Sequence, residues 1–165
     1  MRILPAVLIV ALLLRPVDCL TAVCGGTLLF AWPIREGDVF LVSFTHSLNR
    51  SPVTDYIEYT GKGFIVRKSA FKTFGGGIPV LSDGIGTELI KTGDGYELTG
   101  IDKAMEYFFV LTQEYPDHHI ILGKRSASLV GFAGSGASVK VAVKKMPYIA
   151  FLLYDKYSPS NGGSK

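Results

Sequence analysis

Beyond residue 20 the apolar residues of this chain come in short runs, cut every few positions by glycine, proline or small polar residues. No segment there holds the 3.6-residue period for the roughly 10–15 residues that a crossover helix needs. A chain punctuated in this way buries its apolar side chains as strands. Leu20–Cys24 and Thr27–Trp32 flank Gly25-Gly26, a two-residue hairpin signal. Val39–His46 and Thr54–Thr60 read as the next pair, around a polar loop at Ser47–Val53, and Gly61-Lys62-Gly63 turns the chain into Phe64–Phe71. Gly75-Gly76-Gly77-Ile78-Pro79 stops the pattern, and the Gly/Asp-rich stretch to Gly95 offers one short strand at Glu88–Lys91. Tyr96–Leu98, Tyr107–Thr112, His118–Leu122, Ala127–Leu129 and Val139–Val143 complete the set, with Asp102–Tyr107 the one place for a helical turn. The expected class is mainly β, a small antiparallel β-barrel or sandwich.

With 165 residues and 48% hydrophobic content the chain has material for one well-cored domain. The divisions expected are residues 1–19 as a signal peptide or short membrane tether, 20–145 as the β-rich domain, and 146–165 as a C-terminal apolar strand with a polar tail. Tyr148–Tyr154 is the apolar part of that last segment and reads as a final strand, or alternatively as a surface patch for a membrane or partner. The net charge of +3 is mild, and its Lys and Arg residues are scattered, which argues against nucleic-acid binding.

The amino-terminal end has a different character. Met1-Arg2 precedes twelve apolar residues, Ile3 to Leu14, closed by Arg15. As a helix this run is about 18 Å long, short of a hydrocarbon core of roughly 30 Å. It fits the apolar region of an export signal, with cleavage after Cys19 or Ala22, or else a short uncleaved tether. The expected location is extracytoplasmic, periplasmic or at the cell surface. Neither Cys19 nor Cys24 follows the small residue that lipoprotein processing requires. On one extended segment these two cysteines stand about 16 Å apart, so a disulfide needs a turn between them. No Cys/His spacing suggests a metal site, and no cofactor motif is present.

Three motifs stand in order: Phe44-Thr45-His46-Ser47, then Pro52-Val53-Thr54-Asp55-Tyr56, then Phe74-Gly75-Gly76-Gly77-Ile78-Pro79. Gly100-Ile101-Asp102-Lys103 and Asp117-His118-His119-Ile120 follow. This series resembles the domain of unknown function 1850 family, over roughly Leu20 to Val143. The resemblance implies an exported protein of the kind encoded beside TRAP transporters of the TAXI type, and it carries no established activity. Lys103 stands where the family pattern has arginine, which removes a two-pronged carboxylate donor. Lys68 stands where an acid is expected.

Strand alternation puts Phe40, Val42, Phe44 and His46 on one face, and Asp55, Ile57 and Tyr59 on one face of the following strand. A hairpin with His46 opposite Asp55 also pairs Phe44 with Ile57 and Val42 with Tyr59, placing an imidazole beside a carboxylate at the end of an apolar face. That pair has three readings. It can be a structural hydrogen bond, the heart of a ligand or partner site, or the acid–base pair of a small hydrolase. Ser47 follows His46 directly and points to the opposite face, a poor geometry for a serine nucleophile. The site expected for a ligand or partner comprises His46, Ser47, Asp55, Phe74, Gly75, Gly76, Gly77, Pro79, Lys103 and His118. Its glycines lack the spacing of a nucleotide loop. His118 and His119 alternate, so only one of them faces the core. The functional expectation is a non-enzymatic accessory domain that binds a small solute or a component of a TRAP transporter, with membrane proximity through residues 3–14.

Overall fold

The computed structural model describes residues 3–74 and 84–155, with side chains from residue 7 to residue 152. Helix α1 (Ile3–Leu14) leads, followed by β1 (Pro16–Cys24), β2 (Thr27–Pro33), β3 (Val39–Thr45), β4 (Pro52–Tyr59) and β5 (Phe64–Phe71). After the undescribed residues come β6 (Glu88–Thr92), β7 (Gly95–Met105), β8 (Tyr107–Leu111), β9 (His119–Leu122) and β10 (Arg125–Ser128). Short helix α2 (Leu129–Ala133), strand β11 (Ser138–Pro147) and helix α3 (Tyr148–Asp155) end the described chain.

Two antiparallel sheets form a sandwich. One is four-stranded in the order β2-β1-β11-β8, the other seven-stranded in the order β10-β9-β3-β4-β5-β7-β6. Neither closes on itself, so of barrel and sandwich the sandwich is the form adopted. The β1–β2 hairpin turns at Gly25 and Gly26, both at positive φ, where a side chain would be strained. The smaller sheet covers only part of the larger one. Where it covers, Leu20, Phe30, Trp32, Phe40, Ile57, Phe64, Ile120 and Val141 belong to one buried apolar cluster. Phe40 meets Phe64 edge-on at 5.1 Å between ring centroids, and Phe30 stacks on Trp32 at 4.1 Å. A separate cluster of Val53, Phe71 and Leu98 lies further along β4, β5 and β7.

Three expectations change. Strand β1 begins at Pro16, so residues 16–19, expected in the export segment, form sheet; Cys19 is fully buried and Asp18 accepts a hydrogen bond from the Tyr59 hydroxyl at 2.9 Å. The cysteines share that one extended strand and are both free. The Asp102–Tyr107 helical turn is absent, because β7 runs on to Met105 and β8 starts at Tyr107. The last apolar run is helix α3 and not a strand, since β11 itself extends to Pro147. Proline there has no N–H for a further rung, and helix α3 starts with the Tyr148 N–H bonded to the Arg15 carbonyl at 3.0 Å.

Candidate ligand-binding cleft

The inner face of the larger sheet and strand β8 enclose a cleft of about 840 Å³. Alternation along β3 and β4 delivers Val42, Phe44, Val53, Asp55 and Ile57 to its wall. Ser69 of β5 lies directly opposite Asp55 on the ladder. Strand β7 would present every second residue, but it bulges: Gly100–Asp102 stand against the single residue Arg67, with Gly100 and Asp102 at positive φ. The bulge shifts the alternation away from the parity of buried Leu98, and beyond it every second residue, Ile101, Lys103 and Met105, lines the cleft. All five residues of β8 line it as well. An alternating strand permits that only where a cavity runs along its open edge, and β8 is the terminal strand of its sheet.

The wall is mostly apolar, with a few polar groups set into it. Burial lifts the Asp55 carboxyl above the ordinary aspartate value, and the hydrogen bond from the Ser69 hydroxyl draws it part of the way back. His118 stacks on Phe44 at 4.9 Å between ring centroids. Desolvation lowers its pKa, partly offset by the charge of Asp117, and its buried Nδ1 makes no hydrogen bond to a described residue. Behind it, His119 lies on the other face, its Nε2 2.9 Å from Asp117, whose second oxygen accepts from the Ser128 hydroxyl at 2.6 Å. Of the two adjacent histidines, His118 is the one turned to the core. Lys103 is exposed at the rim.

Four of the expected site residues therefore converge on one cleft: His46, Asp55, Lys103 and His118. The expected cross-strand contact between two of them is not formed. Asp55 pairs with Val42, Phe44 with Val53 and Phe40 with Ile57, a register displaced by four residues from the one anticipated. His46 lies four residues beyond Val42, roughly 13 Å along the strand direction. The displacement comes from the hairpin loop. Pro52 is the first residue of β4, a position where proline's missing N–H is tolerated, and the His46 N–H reaches the Ser51 carbonyl at 2.8 Å to close a tight turn. The Nδ1 of His46 accepts the Asn49 N–H of that turn at 3.3 Å.

Ser47 is exposed on the same turn and does not line the cleft. Phe74 is exposed and rests its ring on Tyr96 at 4.3 Å and Phe71 at 5.3 Å between centroids, beside the second cluster. Gly75, Gly76, Gly77 and Pro79 lie outside the described residues. Lys68 takes an ion pair with Glu97 at 2.9 Å and covers the Tyr56 ring. Among the cleft residues that sequence reasoning did not reach are Ser69, Ile101, Met105 and Gln113. No local signal marked Ser69, which follows Arg67 and Lys68 in a strand of mixed polarity.

Residues 40–129 match the family described as Domain of unknown function (DUF1850). The chain belongs to this family. The matched span contains β3 to β10 and with them Asp55, Lys103 and His118, so the larger sheet and most of the cleft are family features. Strands β1, β2 and β11, which cover that sheet, lie outside the match. No curated protein and no solved structure matches the chain.

Proposed function

We propose that this DUF1850 protein is a non-enzymatic binding domain that works outside the cytoplasm and holds a small amphipathic solute in the cleft between its sheets. The observation that carries this reading is the composition of that cleft. A half-open apolar cavity contains a few convergent polar groups, Asp55, Ser69 and His118 within and Lys103 at the rim. Concave apolar walls supply affinity, and a small number of fixed polar groups supply orientation. Asp55 and the His118 Nδ1, which has no hydrogen-bond partner among the described residues, are expensive to keep in such a place, and a ligand that hydrogen-bonds to both would offset that expense. The association with a TRAP-type transporter rests on the family resemblance alone, and the location rests also on the apolar segment Ile3–Leu14. The hydrolase alternative relied on His46 and Asp55 meeting across the hairpin, and the observed register withdraws that support.

Native mass spectrometry of the chain purified without denaturation tests the proposal, followed by thermal-shift screening with apolar organic acids, amines and amino-acid derivatives. A bound small molecule, or a stabilising compound whose effect falls in Asp55→Asn and Lys103→Ala, supports it. A cleft that takes up none of these classes in the folded protein overturns it.

A further inference from the structure

Helices α1 and α3 spring from one rung. Pro16 and Pro147 form the last pair of the β1–β11 ladder; α1 runs into the one strand and α3 runs out of the other. The Arg15 guanidinium lies over the Tyr148 ring at 5.0 Å, and the two helices are in contact. They differ in what they bury. On α3, Phe151 is buried and packs towards the body, under the Arg125 guanidinium at 5.7 Å, while Ile149 and Leu152 face outwards. On α1, Val7, Leu8, Ile9, Val10, Leu12 and Leu14 are each between 53 and 65% exposed. Isolated apolar residues at a surface need no explanation, but a helix that exposes six leucine, valine and isoleucine side chains does.

We propose that the α1–α3 pair is a retained membrane anchor that seats in one leaflet of a lipid bilayer. Length supports a leaflet over a crossing. The twelve residues of α1 make a helix of about 18 Å, against roughly 15 Å for half of a hydrocarbon core. No helix among the described residues is long and apolar enough to cross a membrane. The groups at its base fit an interface with anionic headgroups. Arg15, Lys144 and Lys145 are exposed there, and Tyr148 supplies the aromatic ring characteristic of the boundary between headgroups and acyl chains. Retention follows from β1. Cleavage after Cys19 would remove Pro16–Cys19 and with them the Asp18 contact to Tyr59, and cleavage after Ala22 would destroy an internal strand whose Leu20, Thr21 and Ala22 are fully buried.

The test is flotation of the full chain with vesicles of phosphatidylcholine, alone or mixed with phosphatidylglycerol. The wild type floats, and more of it floats with the anionic mixture. Leu8→Glu/Leu12→Glu reduces the bound fraction on the order of tenfold or more. Ile149→Glu/Leu152→Glu, both on the outward side of α3, also reduces it at unchanged melting temperature, and Lys144→Gln/Lys145→Gln removes only the anionic preference. Intact mass of the chain recovered from expressing cells retains residues 3–14. A folded wild type that stays with the soluble fraction overturns the proposal, as does one that hides α1 in a self-associated form without binding vesicles. An amino terminus at Leu20 or Val23 overturns retention, and full flotation of the α3 variant overturns the two-helix anchor.

Discussion

Replacing Asp55 with asparagine should make this protein more stable at neutral pH. The carboxylate stands on the inner face of β4, opposite Val42 on one side and Ser69 on the other, in a wall otherwise made by Phe44, Val53 and Ile57. Burial raises its pKa in the folded state, and a folded pKa above the unfolded value has one sign of consequence. The folded chain holds the Asp55 proton more tightly than the unfolded chain, so ionising this group at higher pH works against folding. Asparagine keeps an acceptor for the Ser69 hydroxyl and has no charge to desolvate. Relief of an unfavourable buried charge of this kind is worth about 0.5–2 kcal/mol. At about 2–4 °C per kcal/mol for a chain of this size, the melting temperature at pH 7 should rise by about 1–8 °C. The gain should shrink as pH falls through the folded pKa of Asp55, and vanish near its unfolded value of about 3.9, where the wild type is protonated too. Calorimetric melts of both chains between neutral and acid pH read this difference directly. A variant less stable than wild type at pH 7 would refute the reasoning, because the carboxylate would then be satisfied by partners stronger than the cost of its burial.

Other outcomes follow from single contacts. His118, its pKa lowered by desolvation, contributes stability that is present above the unfolded value of about 6.5 and is lost as pH falls through the folded one, so His118→Phe, which keeps the stack on Phe44, should flatten the stability profile below about pH 6.5 in urea titrations. Phe40→Ala empties a fully buried position between Phe64 and Phe108 and should cost about 3–5 kcal/mol in chemical unfolding. Thr112→Val keeps the shape but deletes the hydroxyl that donates to the Gly134 carbonyl at 2.6 Å and accepts from the Ala137 N–H at 2.9 Å, a loss of about 1–3 kcal/mol on the same assay. The Cys19 thiol, its pKa pushed up to about 11 by burial and by Asp18, should resist a water-soluble thiol reagent until the chain is unfolded.

Much of the fold was legible because its strands are short and their turns are chemically explicit. Gly25-Gly26 and Gly123-Lys124 each connect a hairpin at the position the turn residues mark. What stayed hidden has physical reasons. The run from Tyr148 has no polar residue before Asp155 to reveal a period, and a short unbroken apolar segment is compatible with strand and helix alike. Its conformation is decided by the neighbouring strand, which ends at a proline and leaves no partner for a further rung. In β7 the same difficulty appears in reverse. Gly100 and Asp102 look like a break in the strand because they take positive φ, yet a bulge accommodates them and the pairing with β5 resumes at Lys103.

The site divides along a different line. Which face a strand residue occupies depends only on parity, and the register anticipated for β3 and β4 was wrong by four, an even number. His46 and Asp55 therefore remain on the cleft side although they are not opposite each other. The partner of Asp55 is Ser69, two strands away from β3, and its identity depends on how far β5 slides past β4, including a bulge between Tyr56 and Ile57. Nothing local in the sequence encodes that slide. The open edge of β8 is further removed still, since it exists only because β8 ends the smaller sheet and that sheet leaves part of the larger one uncovered. Residue types thus point to the polar members of the cleft, while its apolar wall is a property of sheet order. On the proposed function, ligand choice would be set through β8: Phe108 and Val110 help hold the core, while Tyr107, Phe109 and Leu111 are exposed along the cleft.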